Sequence, residues 1–277
     1  MDNIKLNKYM KIDYFYDLLL HKRYMLIRPE QWDDPYENFI GNFFKDEKKY
    51  HDLYFCCTKL SNECHNKYSA NVMLMKLWLS SQAFVCTCFT HETSTEGVDA
   101  MWRSYSYDKR SIRFSHTNFF LSKGQYTIFL ETGEPYIGCK NVKYENFDVF
   151  EKIKQIIFTD KLVPTEFIYT KRRNFEYEKE IRIFAREPVK DSTVQLIRNE
   201  DINTYDFSNF HNFVEFTRCE IKDIFPERVP YEIDARSISD IVVHPLADES
   251  TIFFANQICK EFGLGEARKS KIYEFKY

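Results

Sequence analysis

Tyr177-Glu178-Lys179-Glu180-Ile181-Arg182-Ile183-Phe184 is the stretch from which the fold reads most clearly. Polar and branched apolar residues alternate with a period of two, the signature of a half-buried strand over Glu178 to Ala185. On such a strand Glu178, Glu180 and Arg182 share one face, while Ile181 and Ile183 take the other. Val194 to Ile197 reads as its hairpin partner.

Working outward, further strands are expected at Leu6 to Met10, Phe84 to Thr90, Ser111 to Phe114, Tyr126 to Leu130 and Tyr136 to Tyr144. Others are expected at Phe213 to Cys219, Ile238 to Val243 and Lys271 to Phe275, with an extended piece from Tyr24 to Pro29. Helical spacing marks Asp13 to Lys22 with Asp13 as N-cap, Asn66 to Ser81, Gly97 to Tyr105, Phe147 to Phe158 and Ser250 to Phe262. Strands outnumber regular βαβ units. The expectation is one α+β domain over residues 1–277, with a mainly antiparallel sheet, whole or split, and peripheral helices.

Composition narrows the function classes. The chain has 277 residues, 44% of them hydrophobic, with 26 phenylalanines and 19 tyrosines, enough to build a large core. Thirty-nine basic and 42 acidic residues leave a net charge of −3, so no global field draws the chain onto nucleic acid or anionic lipid. The longest apolar runs, such as Ile252 to Ala255, are far too short to span a bilayer, and the opening Met1-Asp2-Asn3-Ile4-Lys5 has no signal-peptide core. A soluble, cytoplasmic protein with eight reduced cysteines is expected.

Four boxes carry candidate chemistry. The carboxylates Glu178 and Glu180 with Arg182 can hold a ribose hydroxyl or stabilise a developing cation, or simply form a solvated face of paired charges. Trp32-Asp33-Asp34-Pro35-Tyr36-Glu37 is a proline turn with acidic residues. In Met101-Trp102-Arg103-Ser104-Tyr105 two aromatic rings share a helix face, as core or as a ligand wall. Cys56, Cys57, Cys64, His65, Cys86 and Cys88 form a thiol-rich set without a regular C-x-x-C pair, and no metal is expected. Arg113 and the run Lys171-Arg172-Arg173 are cations placed to meet phosphates. With only 7 glycines, a phosphate-cradling glycine loop is not expected.

Taken in order, the boxes resemble a mostly bacterial family catalogued as domain of unknown function 2971, with its F-N-D-P-F-E, C-F-S, M-W-x-x-Y and Y-E-x-E-x-R elements. Here they read Trp32 to Glu37, Cys88-Phe89-Thr90, Met101 to Tyr105 and Tyr177 to Arg182. Asp33, Ser111 and Phe175 depart from that pattern. The order of elements is also similar to ADP-ribosyltransferases. That resemblance implies NAD as substrate, Glu180 as catalytic carboxylate and Glu178 as its accessory. It assigns NAD contacts to Lys8 or Tyr9 on the first strand, Thr90, Trp102 or Tyr105 in the middle element, and Arg182. Asp34, Glu37, Arg113, Arg172 and Arg173 are the expected substrate contacts. The implied acceptor is a macromolecule, RNA slightly ahead of protein, and the implied setting is a toxin or phage-defence effector held by an antitoxin or chaperone. The alternatives are a metal-dependent nuclease gathering Mg²⁺ on Asp34, Glu37, Glu178 and Glu180, and a non-catalytic interaction module.

Overall fold

A computed structural model describes residues 5–29, 32, 39–64, 68–82, 84–91, 93–106, 108–117, 136–146, 148–159, 166–186, 201–221 and 227–274. The strands expected at Tyr126 to Leu130 and Val194 to Ile197 lie outside these residues. The described elements form an α+β architecture around a mainly antiparallel mixed sheet.

The chain opens with β1 (Lys5–Lys11), α1 (Ile12–His21) and β2 (Arg23–Ile27). Ile12, Phe15, Leu18 and Leu19 give α1 its buried face, and it stops at Lys22, whose φ of 51° places it in the left-handed region. The helix starts one residue before Asp13, which sits in its first turn, where its charge suits the dipole, and not at the N-cap. Three helices follow, α2 (Phe39–Phe43), α3 (Glu47–Glu63) and α4 (Ala70–Gln82), then β3 (Phe84–Thr90), α5 (Asp99–Tyr105) and β4 (Ser111–Thr117). The second half holds β5 (Tyr136–Asn141), β6 (Lys143–Glu145), α6 (Val149–Ile157), β7 (Thr170–Arg172) and β8 (Glu180–Arg186). It ends with α7 (Phe210–Glu220), β9 (Arg228–Glu232), β10 (Ile238–Val243), α8 (Glu249–Glu261) and β11 (Arg268–Lys269).

Three expectations change. The stretch from Phe213 to Cys219 lies inside α7, because Phe213 and Phe216 are spaced for one helical face and Asn209 caps the start by accepting from the His211 and Asn212 amides. Lys271 to Glu274 is a turn, and the short terminal strand is Arg268–Lys269. Glu178 belongs to a 3₁₀ turn over Arg173–Glu178; the strand begins at Glu180, after Lys179 in a left-handed conformation (φ 43°).

β3 is the hinge of the sheet. One edge pairs with β8 over seven residues, from Phe84 opposite Arg186 to Thr90 opposite Glu180. The other edge is shared: β1 meets it at Asn7–Thr90 and β2 at Ile27–Cys86. β1 continues outward through β4 and β10 to β11, β2 pairs with β9, and β5 lies on the far side of β8. The sheet is thus split at β3. One face packs Val85, Phe89, Ile181 and Ile183 with residues of α1 and α8, and the other packs Cys86 and Phe184 with α3, α4, α6 and α7. Burial on both faces explains the nearly continuous apolar character of β3. Among the described residues no helix is long and apolar enough to cross a membrane.

Candidate functional site

The split brings polar residues of four strands into one row. Ser115 on β4 lies opposite Asn7 on β1, Asn7 opposite Thr90 on β3, and Thr90 opposite Glu180 on β8. Directly opposed residues of an antiparallel ladder project to the same face, so the row crosses the sheet on a single face. All four side chains are buried. Buried polar groups must be hydrogen-bonded, and the row meets this demand locally. The Ser115 hydroxyl donates to Asn7 Oδ1 at 2.6 Å, and the Thr90 hydroxyl donates to the Glu178 carbonyl at 2.5 Å.

At the β8 end, four charges close on one another. Lys171 Nζ lies 2.7 Å from Glu178 and 3.2 Å from Glu180; Arg182 Nε donates to Glu180 at 2.7 Å. Arg182 also donates to the Ile168 carbonyl at 2.6 Å, and its guanidinium lies 4.8 Å from the ring centre of Trp32. β6 and β7 pair in parallel with Tyr144 beside Lys171, which delivers the ammonium to the carboxylates and the Tyr144 hydroxyl to the Glu180 amide at 2.6 Å. Burial pushes the Glu180 carboxyl up, but Arg182 and Lys171 outweigh it and hold the group at about 2. Glu180 is therefore an anion across the whole neutral range. That suits a stationary counter-charge or a hydrogen-bond acceptor, not a proton donor.

At the other end of the row lies a pocket of about 350 Å³, small for a ligand site. Asn7 belongs to its lining, with Lys5, His91, Arg113 and the loop residues Thr93, Ser94 and Thr95. Every one of these side chains is polar. Arg113 is only 1% exposed; it donates to Asp240 at 3.1 Å and to the Ser94 carbonyl at 2.8 Å. Asp240 has φ 50° within a register shift of β10 between Ser239 and Val242, and this bulge presents its carboxylate to Lys5, Arg113 and Arg268.

The expected site residues divide into groups. Glu178, Glu180, Arg182 and Thr90 come together, with the Trp32 and Cys88 side chains against them. Arg113 joins the pocket. Tyr9 and Trp102 meet edge to face at 4.8 Å, and Tyr105 stacks on Tyr9 at 6.3 Å. Trp102 is fully buried, donating to the Glu96 carbonyl, while Tyr105 remains exposed. Lys8 projects to the opposite face of β1, its ammonium donating to Thr87 Oγ1 and the Cys88 carbonyl and lying 4.7 Å from the Phe89 ring centre. Burial lowers it to about 8, against the pull of Cys88 and Glu180. Arg172 lies over the Phe175 ring and Arg173 is exposed at the start of the 3₁₀ turn. Asp34 and Glu37 lie outside the described residues. Among the described residues no three His, Cys, Asp or Glu side chains form a metal-sized group, and all eight cysteines are free thiols.

Sequence reasoning missed Tyr144, Ser115, Asn7 and the pocket residues Lys5, His91, Thr93, Ser94 and Thr95 as site residues, and saw Lys171 only as one of a basic run. Asn7 carries no distinguishing signal, because β1 also holds Lys5, Lys8 and Lys11; its burial follows from its place opposite Thr90 and Ser115. Comparison of the chain with protein-family models, with curated proteins and with solved structures found no match in any of the three.

Proposed function

We propose that the chain is an NAD-consuming ADP-ribosyltransferase-like enzyme, with the pocket beside Asn7 as its ligand cleft and Glu180 as its catalytic carboxylate. The in-register row Asn7–Thr90–Glu180, which links a cation-lined pocket to a permanently ionised carboxylate, is the observation that carries this reading. Nicotinamide leaves with the electrons of its glycosidic bond, so the ribosyl carbon gains positive charge that a fixed anion stabilises. Glu180 is such an anion, and Glu178 lies on the same ammonium. In this reading the ligand reaches Glu180 by displacing Lys171. The acceptor is a macromolecule, with nucleic acid ahead of protein, and the setting is a toxin or defence effector restrained by a partner.

One observation favours a second reading. Two acids and two bases that satisfy each other in a buried cluster are what a purely structural network looks like, and a non-catalytic binding module would keep the pocket and need no turnover.

Incubation with labelled NAD and a cell lysate, with and without nuclease or protease, separates the two. Nicotinamide release and label transfer that vanish in a folded Glu180→Gln variant support the enzyme, and the digestion pattern names the acceptor class. Absence of both from folded wild-type protein sinks the transferase and leaves the binding module.

A further inference from the structure

The 3₁₀ turn over Arg173–Glu178 does more than deliver Glu178 to Lys171. Its three-residue repeat sorts the side chains into rows. Phe175 and Glu178 form the inner row: the Lys171 ammonium lies 4.7 Å from the Phe175 ring centre and 2.7 Å from the Glu178 carboxylate. Asn174 and Tyr177 form a second row, which meets α5 where the Tyr177 hydroxyl lies 3.5 Å from Ser104 Oγ. Arg173 and Glu176 form the outer row, continued by Lys179 just past the turn, and all three are exposed.

The rings on this surface are open to solvent. Tyr177 is 36% exposed, and Tyr105, the last residue of α5, is 39% exposed. Each rests on a second ring: Tyr177 on Phe175 at 6.4 Å between centres, and Tyr105 on Tyr9 at 6.3 Å. The turn and α5 carry no Leu, Ile or Val, and their one methionine, Met101, is buried. A protein partner would need an apolar centre to pack against, which this surface lacks. Among the described residues the Arg173 and Lys179 side chains take part in no ion pair or hydrogen bond, and Glu176 is the one acid between them. Exposed rings beside free cations suit the bases and phosphates of a single strand, whereas a duplex keeps its base faces stacked inside. We infer that the turn with Lys179 and the C-terminal end of α5 bind single-stranded nucleic acid, with bases stacked on Tyr177 and Tyr105 and phosphates on Arg173 and Lys179. The inference rests on the proposed function only for its purpose, presentation of the acceptor beside Glu180, the residue that follows Lys179; binding itself requires no NAD.

The experiment is fluorescence anisotropy of a short labelled RNA of mixed, unstructured sequence, titrated with the full chain at several salt concentrations. Tyr177→Ala should weaken binding about fivefold or more. Tyr177→Phe keeps the ring and loses only the hydroxyl that meets Ser104, and should bind as the wild type does. Arg173→Gln should weaken binding and reduce the salt slope by about 0.7. Glu176→Gln, which removes the one acid on the outer row, should tighten it. Lys260→Glu, on the exposed side of α8, should leave it unchanged. No binding by folded wild-type protein, full binding by Tyr177→Ala, or an equal loss in Lys260→Glu overturns the surface. Equal affinity for a labelled duplex of the same sequence overturns the single-strand assignment. Nicotinamide release with label entering protein, and no RNA binding, overturns the surface and leaves the transferase. Binding that depends on Tyr177 and Arg173 without nicotinamide release keeps the surface and removes the transferase, so the two failures are distinguishable.

Discussion

Lys171 holds the Glu178 carboxylate at 2.7 Å with both side chains almost wholly withdrawn from water (6% and 5% exposed), and the same ammonium reaches Glu180 at 3.2 Å. Taking charges out of water is expensive, and each member of this cluster is tolerable only because the others are present. Lys171→Met should therefore cost about 3–5 kcal/mol of stability, because it leaves two buried carboxylates facing one guanidinium. Lys171→Met combined with Glu178→Leu should be less damaging than the single change, since the second substitution removes the stranded charge. Denaturant melts of the three proteins check this; simple additivity would show that the cluster is not coupled as its distances imply.

Glu180 gives the cluster an acid limit. Its folded pKa of about 2 lies below the value of roughly 4.3 expected for an unfolded glutamate. A depressed carboxyl stabilises the fold fully above the unfolded value and loses that contribution as pH falls towards the folded one. Stability should decline between about pH 4.3 and about pH 2, and Glu180→Gln should flatten that part of the curve. An unchanged acid slope in the variant would place the loss on other carboxylates.

Much of the site was legible because its boxes converge in space. Trp32 of the first box covers Arg182 of the last, Thr90 and Cys88 of the second bond to Glu178 and Glu180, and Ser104 of the third lies 3.5 Å from the Tyr177 hydroxyl. Period-two alternation correctly put Glu180 and Arg182 opposite Ile181 and Ile183. It could not reveal that Glu178 arrives from a 3₁₀ turn, because one left-handed residue, Lys179, breaks the period between the two glutamates. Nor could spacing show that Lys171, held in register by β6 and β7, would neutralise the pair; that is a tertiary fact. The α7 segment misled because Phe213, Val214 and Phe216 favour strands by propensity, and a helix won through its cap and its buried phenylalanines.

His116 should set a second pH window. Its ring is buried beside Ser237 and 6.0 Å from the Tyr24 ring centre, and burial lowers it to about 4 despite Asp234. In the unfolded chain the group titrates near roughly 6.5. The unfolded state therefore binds more protons between these values, so stability is full above about pH 6.5 and falls as pH drops to about 4. His116→Gln should lower stability at pH 7 by about 1–3 kcal/mol through disturbed packing and hydrogen bonding, yet remove most of the slope between pH 6.5 and 5. A slope that survives in the variant would exclude His116 as its source.

Gly97 fixes the entrance of α5 and the end of the pocket loop. Its φ is +83°, and a Cβ there would stand 2.6 Å from both the Trp102 indole nitrogen and the Tyr9 hydroxyl. Those two groups hold the loop: Trp102 donates to Glu96 O, and Tyr9 accepts from the Val98 amide at 3.0 Å. Neither ring can withdraw easily, because Trp102 is fully buried and packs edge-on against His244 as well as Tyr9. Gly97→Ala should therefore cost about 2–4 kcal/mol, combining left-handed backbone strain with overpacking. The loss should come with a shift in tryptophan emission as the indole gives up its carbonyl partner. Wild-type stability and emission in Gly97→Ala would mean that the loop has room to move and that the two rings do not fix it.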